Sequence, residues 1–331
     1  MFKYPLLYVG GALLLALFVT SVGAAIITAP AFKIGLRPVL TKQEAKEVIT
    51  VPERITNLIQ SGLKAYKKGY FDMAEIDLET AKFLSPSPLP NEPLWALVDC
   101  YIITGNYQRS IGLLEELIAM NPENPILYTK LGLSHLLDGK YLEAIDSLDS
   151  ALELDENERS AMLYLGLAYK QMGVPTKTDE LFQKAVDQYK QILLINEDDL
   201  PALIELSTIY IYWEREQNIT RDLLSKAKEI AQKSDSDYTT QIILKFYIPM
   251  LEGLLNNQTG KYHESLINLT VALQNAPQGL HSDLARIYYY IGKNYIQLQE
   301  LDQTKKFYAR ALEIAPEYFY TKEMKNFLEK E

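Results

Sequence analysis

Hydrophobic and polar residues alternate in two distinct ways along the chain. From Leu6 to Thr28 the run LLYVGGALLLALFVTSVGAAIIT holds 23 residues without a charge, and Lys3 and Lys33 flank it. As a helix it reaches about 34 Å, enough for a hydrocarbon core of about 30 Å. Within it, Ala12, Ala16, Thr20, Ala24 and Thr28 fall four apart and form one row of small residues. Such a row lets membrane helices approach closely, as a homodimer seam or a docking face for another membrane protein. Beyond residue 40 the pattern changes to apolar positions at helical spacing, broken by short polar turns. Thr41 with Glu44 and Thr50 with Glu53 are capping boxes in series. The first starts a short helix with Ala45, Val48 and Ile49 on one side, and the second starts a longer helix that tolerates Pro52 in its opening turn.

The helical pattern repeats. LYTKLGLSHLLDGKYLEAIDSLDSALELDEN (127–157) is followed by MLYLGLAYKQMG (162–173), and both place Leu-Gly three residues before His135 or Tyr169. NLIQSGLKAYKKGYFDMAEIDLETAKFLSP (57–86) and IYYYIGKNYIQLQELDQTKKFYARALEIAP (287–316) have the same shape. These stretches resemble the tetratricopeptide repeat, a 34-residue helix–turn–helix unit with the pattern W-x2-L-G-x2-Y…A-x3-F…P. Tyr128, Leu131, Gly132 and His135 fill the first-helix positions of one unit, with Ala144, Leu148 and Ala151 in its second helix. The last unit reads Tyr288, Ile291, Gly292, Tyr295, then Thr304, Tyr308, Ala311 and Pro316. In another unit Val98 stands where the motif has glycine.

The resemblance implies an all-α tetratricopeptide-repeat solenoid, a right-handed superhelix of about seven units over 55–318, preceded by one transmembrane helix. The units start near residues 55, 91, 125, 159, 200, 246 and 285. Residues 1–32 are the anchor or an export signal, 33–54 a linker with a short helix, and 319–331 a C-terminal capping helix with Met324, Phe327 and Leu328 toward the last repeat. The fourth unit has seven extra residues; Thr178, Ala185 and Ile192 share a face, which predicts a second helix two turns longer. IYWEREQNIT (211–220) disturbs the turn of the fifth unit, and Pro249 predicts a kink or late start in the first helix of the sixth.

In this family the first helices line a concave groove that reads peptides. Motif positions place Trp95, Asp99, Ile102 and Ile103 there in the second unit. The third adds Thr129, Lys130, Leu133, Leu136 and Leu137, and the fourth Leu163, Tyr164, Leu167 and Lys170. An apolar strip with few charges suits an apolar peptide or an amphipathic helix. The family's carboxylate clamp for chaperone tails needs Lys and Asn one turn apart, and Ile59 and Leu63, Trp95 and Asp99, Thr129 and Leu133 occupy those places instead.

Charge and chemistry narrow the functional class. The net charge of −10, without a Lys/Arg stripe, repels phosphate backbones and speaks against nucleic acid. One cysteine, Cys100, makes neither an internal disulfide nor a thiolate metal site. G-x-S-x-G, H-E-x-x-H, P-loop and C-x-x-C motifs are absent, and His135, His263 and His281 fall in different units. The expectation is therefore a non-enzymatic, membrane-tethered scaffold or adaptor without cofactor or metal, which binds a protein or peptide partner and helps assemble or regulate a membrane-associated complex. Lys33, Arg37, Lys42 and Lys46 follow the apolar run against Lys3 before it, which puts the repeats on the cytoplasmic face. Ser21-Val22-Gly23 and Gly23-Ala24-Ala25 also fit a cleavage site, so a secreted or periplasmic protein is the alternative, and a regulatory subunit of a membrane enzyme another.

Overall fold

The computed structural model describes residues 50–233, 237–318 and 320–330, and every regular element among them is a helix. The apolar run, its row of small residues and most of the expected linker lie outside the described residues. No described helix is long and apolar enough to cross a membrane.

The described residues fall into two compact units, 50–122 and 123–330. The first contains α1 (Val51–Lys67), α2 (Phe71–Leu84), α3 (Asn91–Thr104) and α4 (Tyr107–Met120). At its start the Thr50 hydroxyl accepts from the Glu53 amide and the Glu53 carboxylate accepts from the Thr50 amide, a closed capping box that satisfies two orphan donors. The second unit holds the hairpins α5 (Pro125–Leu137) with α6 (Tyr141–Leu154), α7 (Arg159–Thr176) with α8 (Asp179–Ile195), and α9 (Leu200–Trp213) with α10 (Gln217–Lys233). It continues through α11 (Tyr238–Ile242), a π turn (Ile243–Tyr247), α12 (Ile248–Gln258) with α13 (Tyr262–Gln274), α14 (His281–Gln297) with α15 (Leu301–Ile314), and α16 (Thr321–Lys330).

Each hairpin closes around a first-helix position that is usually glycine. A Cβ added at Gly62, Gly132, Gly166, Gly253 or Gly292 would come within 2.5–2.7 Å of Leu78, Leu148, Tyr189, Leu269 or Tyr308, respectively. Those five partners are fully buried. The α3–α4 hairpin has Val98 at this position and packs least closely; the α9–α10 hairpin has Ser207 and is intermediate. Within each unit, a second helix also packs on the next first helix, and first helices touch one another. Polar links join elements roughly one repeat apart: Tyr66 donates to Asp99 at 2.8 Å, Thr129 to Glu158 at 2.9 Å and Asn257 to Asn294 at 2.7 Å.

Three local expectations meet different outcomes. The extra residues of the fourth unit are shared: α7 has 18 residues and α8 has 17, against 13 and 14 in α5 and α6. Pro175, in the last turn of α7, sits where the lengthened first helix is about to stop. Near Pro249 the irregularity is the π turn just before it, and helix begins as early as Tyr238. A proline ring presses on the carbonyl four residues back, here that of Lys245, and the wider turn gives that carbonyl room. In the α9–α10 turn, Glu214 (φ 55°) and Glu216 (φ 52°) both take the left-handed conformation, whereas Gly105 (φ 82°) serves the α3–α4 turn.

At the far end of the second unit Met324 of α16 is fully buried, and Phe327 packs edge-on to Tyr308 with centroids 5.4 Å apart. Tyr320 stacks on Tyr289 at 4.2 Å, and the Tyr289 hydroxyl donates to Glu323 at 2.7 Å.

Gly132→Ala and Gly292→Ala are each expected to lower unfolding free energy by about 1–3 kcal/mol, because the methyl meets Leu148 or Tyr308 inside a closed hairpin. Gly112→Ala should raise it by about 0.5–1 kcal/mol, since Gly112 lies on the exposed face of α4 and a Cβ there meets nothing within 4 Å. Urea unfolding of the three variants checks both signs.

Candidate partner-binding faces

In the first unit, α3 carries Trp95, Asp99, Ile102 and Ile103 on consecutive turns. Trp95 and Ile103 are half-buried, while Ile102 and Asp99 are buried. The Asp99 carboxylate accepts the Tyr66 hydroxyl, so it serves the α1–α3 contact. Nearby, buried Glu75 accepts from the Thr104 hydroxyl at 2.6 Å and the Asn106 amide at 2.7 Å. Burial, with Asp99 and Glu75 adding to it, pushes the Cys100 thiol up to about 12, which keeps it protonated and inert.

In the second unit the first helices are more deeply covered. Leu133, Leu136, Leu163, Tyr164 and Leu167 are buried, and Thr129 is buried with its hydroxyl bonded to Glu158. Lys130 and Leu137 are half-buried. Lys170 is buried and donates to Glu205 of α9. The side chains left partly open are therefore Trp95 and Ile103 in one unit, and Lys130 and Leu137 in the other.

Lys170 belongs to a polar cluster that spacing did not reveal. Asp283, in the first turn of α14, and Arg286, in the next turn, are both over 90% buried, and the Arg286 guanidinium donates to Asp283 Oδ1 at 2.9 Å. That guanidinium also lies 5.1 Å from the centroid of the Tyr212 ring on α9. Asp283 Oδ2 is buried without a hydrogen-bond partner. Burial pushes the Asp283 carboxyl above the usual range, Arg286 and Lys170 pull against it, and Glu205 adds to the rise. The Tyr247 hydroxyl, on the π turn, is driven well above its ordinary value by burial and then by Asp283 and Glu205. Two cations and two anions from α7, α9 and α14 thus share one buried region. A sequence signal existed: Glu205 is the single charge in LPALIELSTIYIYW, and a lone charge in an apolar helix needs a partner. Asp199 has a parallel role, capping α9 through the Ala202 amide while accepting from Arg159 at 2.8 Å. Among the described residues, no group of three His, Cys, Asp or Glu is placed to hold a metal ion.

Helical hairpins closed at a small first-helix residue and stacked through their second helices define an all-α repeat protein. Residues 103–159, 160–191 and 285–318 each match a tetratricopeptide repeat family, so the chain carries tetratricopeptide repeats. Human tetratricopeptide repeat protein 13 is 24% identical over 162 residues, 48% of this chain and 18% of the human protein. The chain thus matches about a fifth of that relative's length. Among solved structures, a tetratricopeptide repeat protein from Parabacteroides merdae ATCC 43184 aligns over 84% of this chain and 98% of its own, with TM-score 0.57 and 16% identity. The APC/C hetero-tetramer Cut9–Hcn1 aligns over 87% of this chain and 50% of the matched chain, with TM-score 0.63 and 14% identity. These likenesses establish the all-helical tetratricopeptide fold.

The buried carboxyl sets a pH dependence. Because the folded protein holds the Asp283 proton more tightly than the unfolded chain, this group contributes stability below its ordinary value of 3.8. That contribution is lost as pH rises through the folded value. Wild type should therefore gain stability relative to Asp283→Asn as pH falls from about 7 to about 4.5, measured as the difference in urea midpoints. A difference that stays level, or shrinks on acidification, contradicts the assignment.

Proposed function

We propose that this protein is a non-enzymatic, membrane-tethered scaffold. Its repeats take up an apolar or amphipathic segment of a protein partner and help assemble or regulate a membrane-associated complex. The observation that carries the reading is a tetratricopeptide fold whose first helices keep large apolar side chains, Trp95, Ile103 and Leu137, partly open to solvent. Partly open apolar side chains on ordered helices have already lost most of their conformational entropy, so covering them favours binding. The tether is the 23-residue apolar run before Lys33, with the repeats on the cytoplasmic side. Tethering would raise the partner's effective concentration at the bilayer. The Cut9–Hcn1 structure is an APC/C hetero-tetramer, which fits a scaffold reading for this fold.

Detergent-solubilised full-length protein would be panned against a library of amphipathic helical peptides, and the best binder titrated by calorimetry. Trp95→Asp and Ile103→Asp, both on α3, should each weaken that binder by about tenfold or more with unchanged far-UV circular dichroism. Equal affinity in both variants rejects the first-helix face. Separately, the mature chain should resist carbonate extraction and keep its first residues on N-terminal sequencing; a start after residue 23 would show a cleaved signal instead.

A further inference from the structure

The second helix of each hairpin has an outer face that meets solvent, and in α2 that face is apolar. Phe83 is 88% exposed, Ile76 64% and Met73 49%. The buried Ala74, Ala144 and Thr304 set the common register of these helices. At the places of Met73, Ile76 and Phe83, α6 has Glu143, Asp146 and Glu153, and α15 has Gln303, Lys306 and Glu313. Among the described residues, no other second helix puts three large apolar side chains there. The exposure is therefore particular to α2 and does not follow from its place in a repeat.

The charges around this stripe are already used within the first unit. Glu79 accepts from Arg109 at 2.6 Å and from the Tyr101 hydroxyl at 2.7 Å, and Lys82 donates to Glu116 at 2.7 Å. Buried Glu75 accepts from Thr104 and Asn106, and buried Asp77 accepts from the Ser61 hydroxyl at 2.6 Å. Asp72, exposed in the first turn of α2, is the charge left over among the described residues. A partner recognised by its charge would find little to meet here. The stripe offers neutral apolar surface, and α2 itself has the matching shape. Met73, Ile76, Thr80 and Phe83 are spaced three, four and three apart over about 15 Å, and that spacing reads the same in both directions. Turning a second α2 end for end sets Phe83 against Met73 and Ile76 against Thr80, twice about a two-fold axis. Each pair joins a bulky side chain to an accommodating one: the flexible thioether of Met73 takes the ring, and small Thr80 leaves room for Ile76. The same turn carries each Asp72 to the Lys82 end of the other copy. Parallel pairing would instead oppose Phe83 to Phe83, Thr80 to Thr80 and Asp72 to Asp72.

We propose that a second copy of this chain covers Met73, Ile76 and Phe83, by antiparallel pairing of α2 with α2 about a two-fold axis. The open parts of these three side chains come to roughly 400 Å² per copy, against ~800 Å² per partner in a standard interface. The dimer is accordingly reversible and forms as the protein is concentrated. Trp95 and Ile103 on α3 take no part, so the inference stands apart from the proposed partner face. Full-length D72C would be mixed with full-length K82C in detergent, with micelles in excess over chains, and treated with a short bismaleimide. Cys100 is buried and stays in place. Both substitutions leave the apolar side chains of the stripe intact. Mixed crosslinked dimers should exceed either homodimer by at least about fivefold, because antiparallel pairing separates position 72 from its copy by about 18 Å and position 82 by about 12 Å along the helices. Ile76→Asp with Phe83→Asp, added to both chains, should lower the mixed crosslink at least about tenfold with thermal unfolding unchanged, since both side chains are exposed. Homodimers as abundant as mixed dimers would mean another pairing, and a yield indifferent to the aspartates would put the contact elsewhere. Chains that stay monomeric at every concentration would leave the stripe to a different protein. Each of these three results overturns the inference.

Discussion

The approach of two helices inside each hairpin is limited by one side chain on the first helix, and the remaining packing follows from that limit. With glycine at the position, a leucine or tyrosine of the second helix sits where a Cβ would be. The ordering Gly, Ser207, Val98 from tightest to loosest hairpin is what added volume at a close crossing predicts. Tyr189 and Tyr308 show that the space released by glycine need not be filled by an aliphatic residue. Both rings are fully buried opposite Gly166 and Gly292. Glycine inside a helix lowers its propensity by about 1 kcal/mol, so these helices depend on the hairpin for their stability.

Between hairpins the structure relies on polar links reaching about one repeat along the chain. Exposed pairs such as Lys226 with Glu197 add little in water. The buried ones are different in kind. Removing a partner from Lys170–Glu205 or Arg286–Asp283 leaves a charge without compensation in the interior, at about 3–5 kcal/mol. Such pairs are weak evidence for stability but strong constraints on register, since no shifted stacking of α7 on α9 would bring Lys170 to Glu205. The orphan oxygen of Asp283 is the place where this constraint is incompletely satisfied, and the raised carboxyl there follows from it.

Much of this was legible in the chain. The L-G-x2-aromatic signature, the alternating apolar register and the Thr50–Glu53 box report interactions within a hairpin or a single helical turn. What spacing missed depends on residues far apart. Lys170 looks solvent-facing until Glu205, 35 residues later, is beside it, and Leu133, Leu163 and Leu167, assigned to a groove by motif position, are buried. The seven extra residues of the fourth unit show the same limit. Periodicity identified a longer hairpin, but the division between α7 and α8 depended on where each helix met its neighbours. Pro249 marked an irregularity whose form, a π turn one step earlier, is set by the carbonyl of Lys245.

The first unit shows how one hairpin array can present two different chemistries. On α3, Trp95 and Ile103 are half-covered by their own fold, so a ligand there adds to an existing apolar surface. On α2, Phe83 is almost free of contact, and its neighbours Met73 and Ile76 sit at positions that α6 and α15 fill with polar side chains. An isolated exposed phenylalanine needs no explanation, but three large apolar residues in one register form a contiguous exposed stripe. Since first-helix and second-helix positions belong to different faces of a hairpin, covering one leaves the other available.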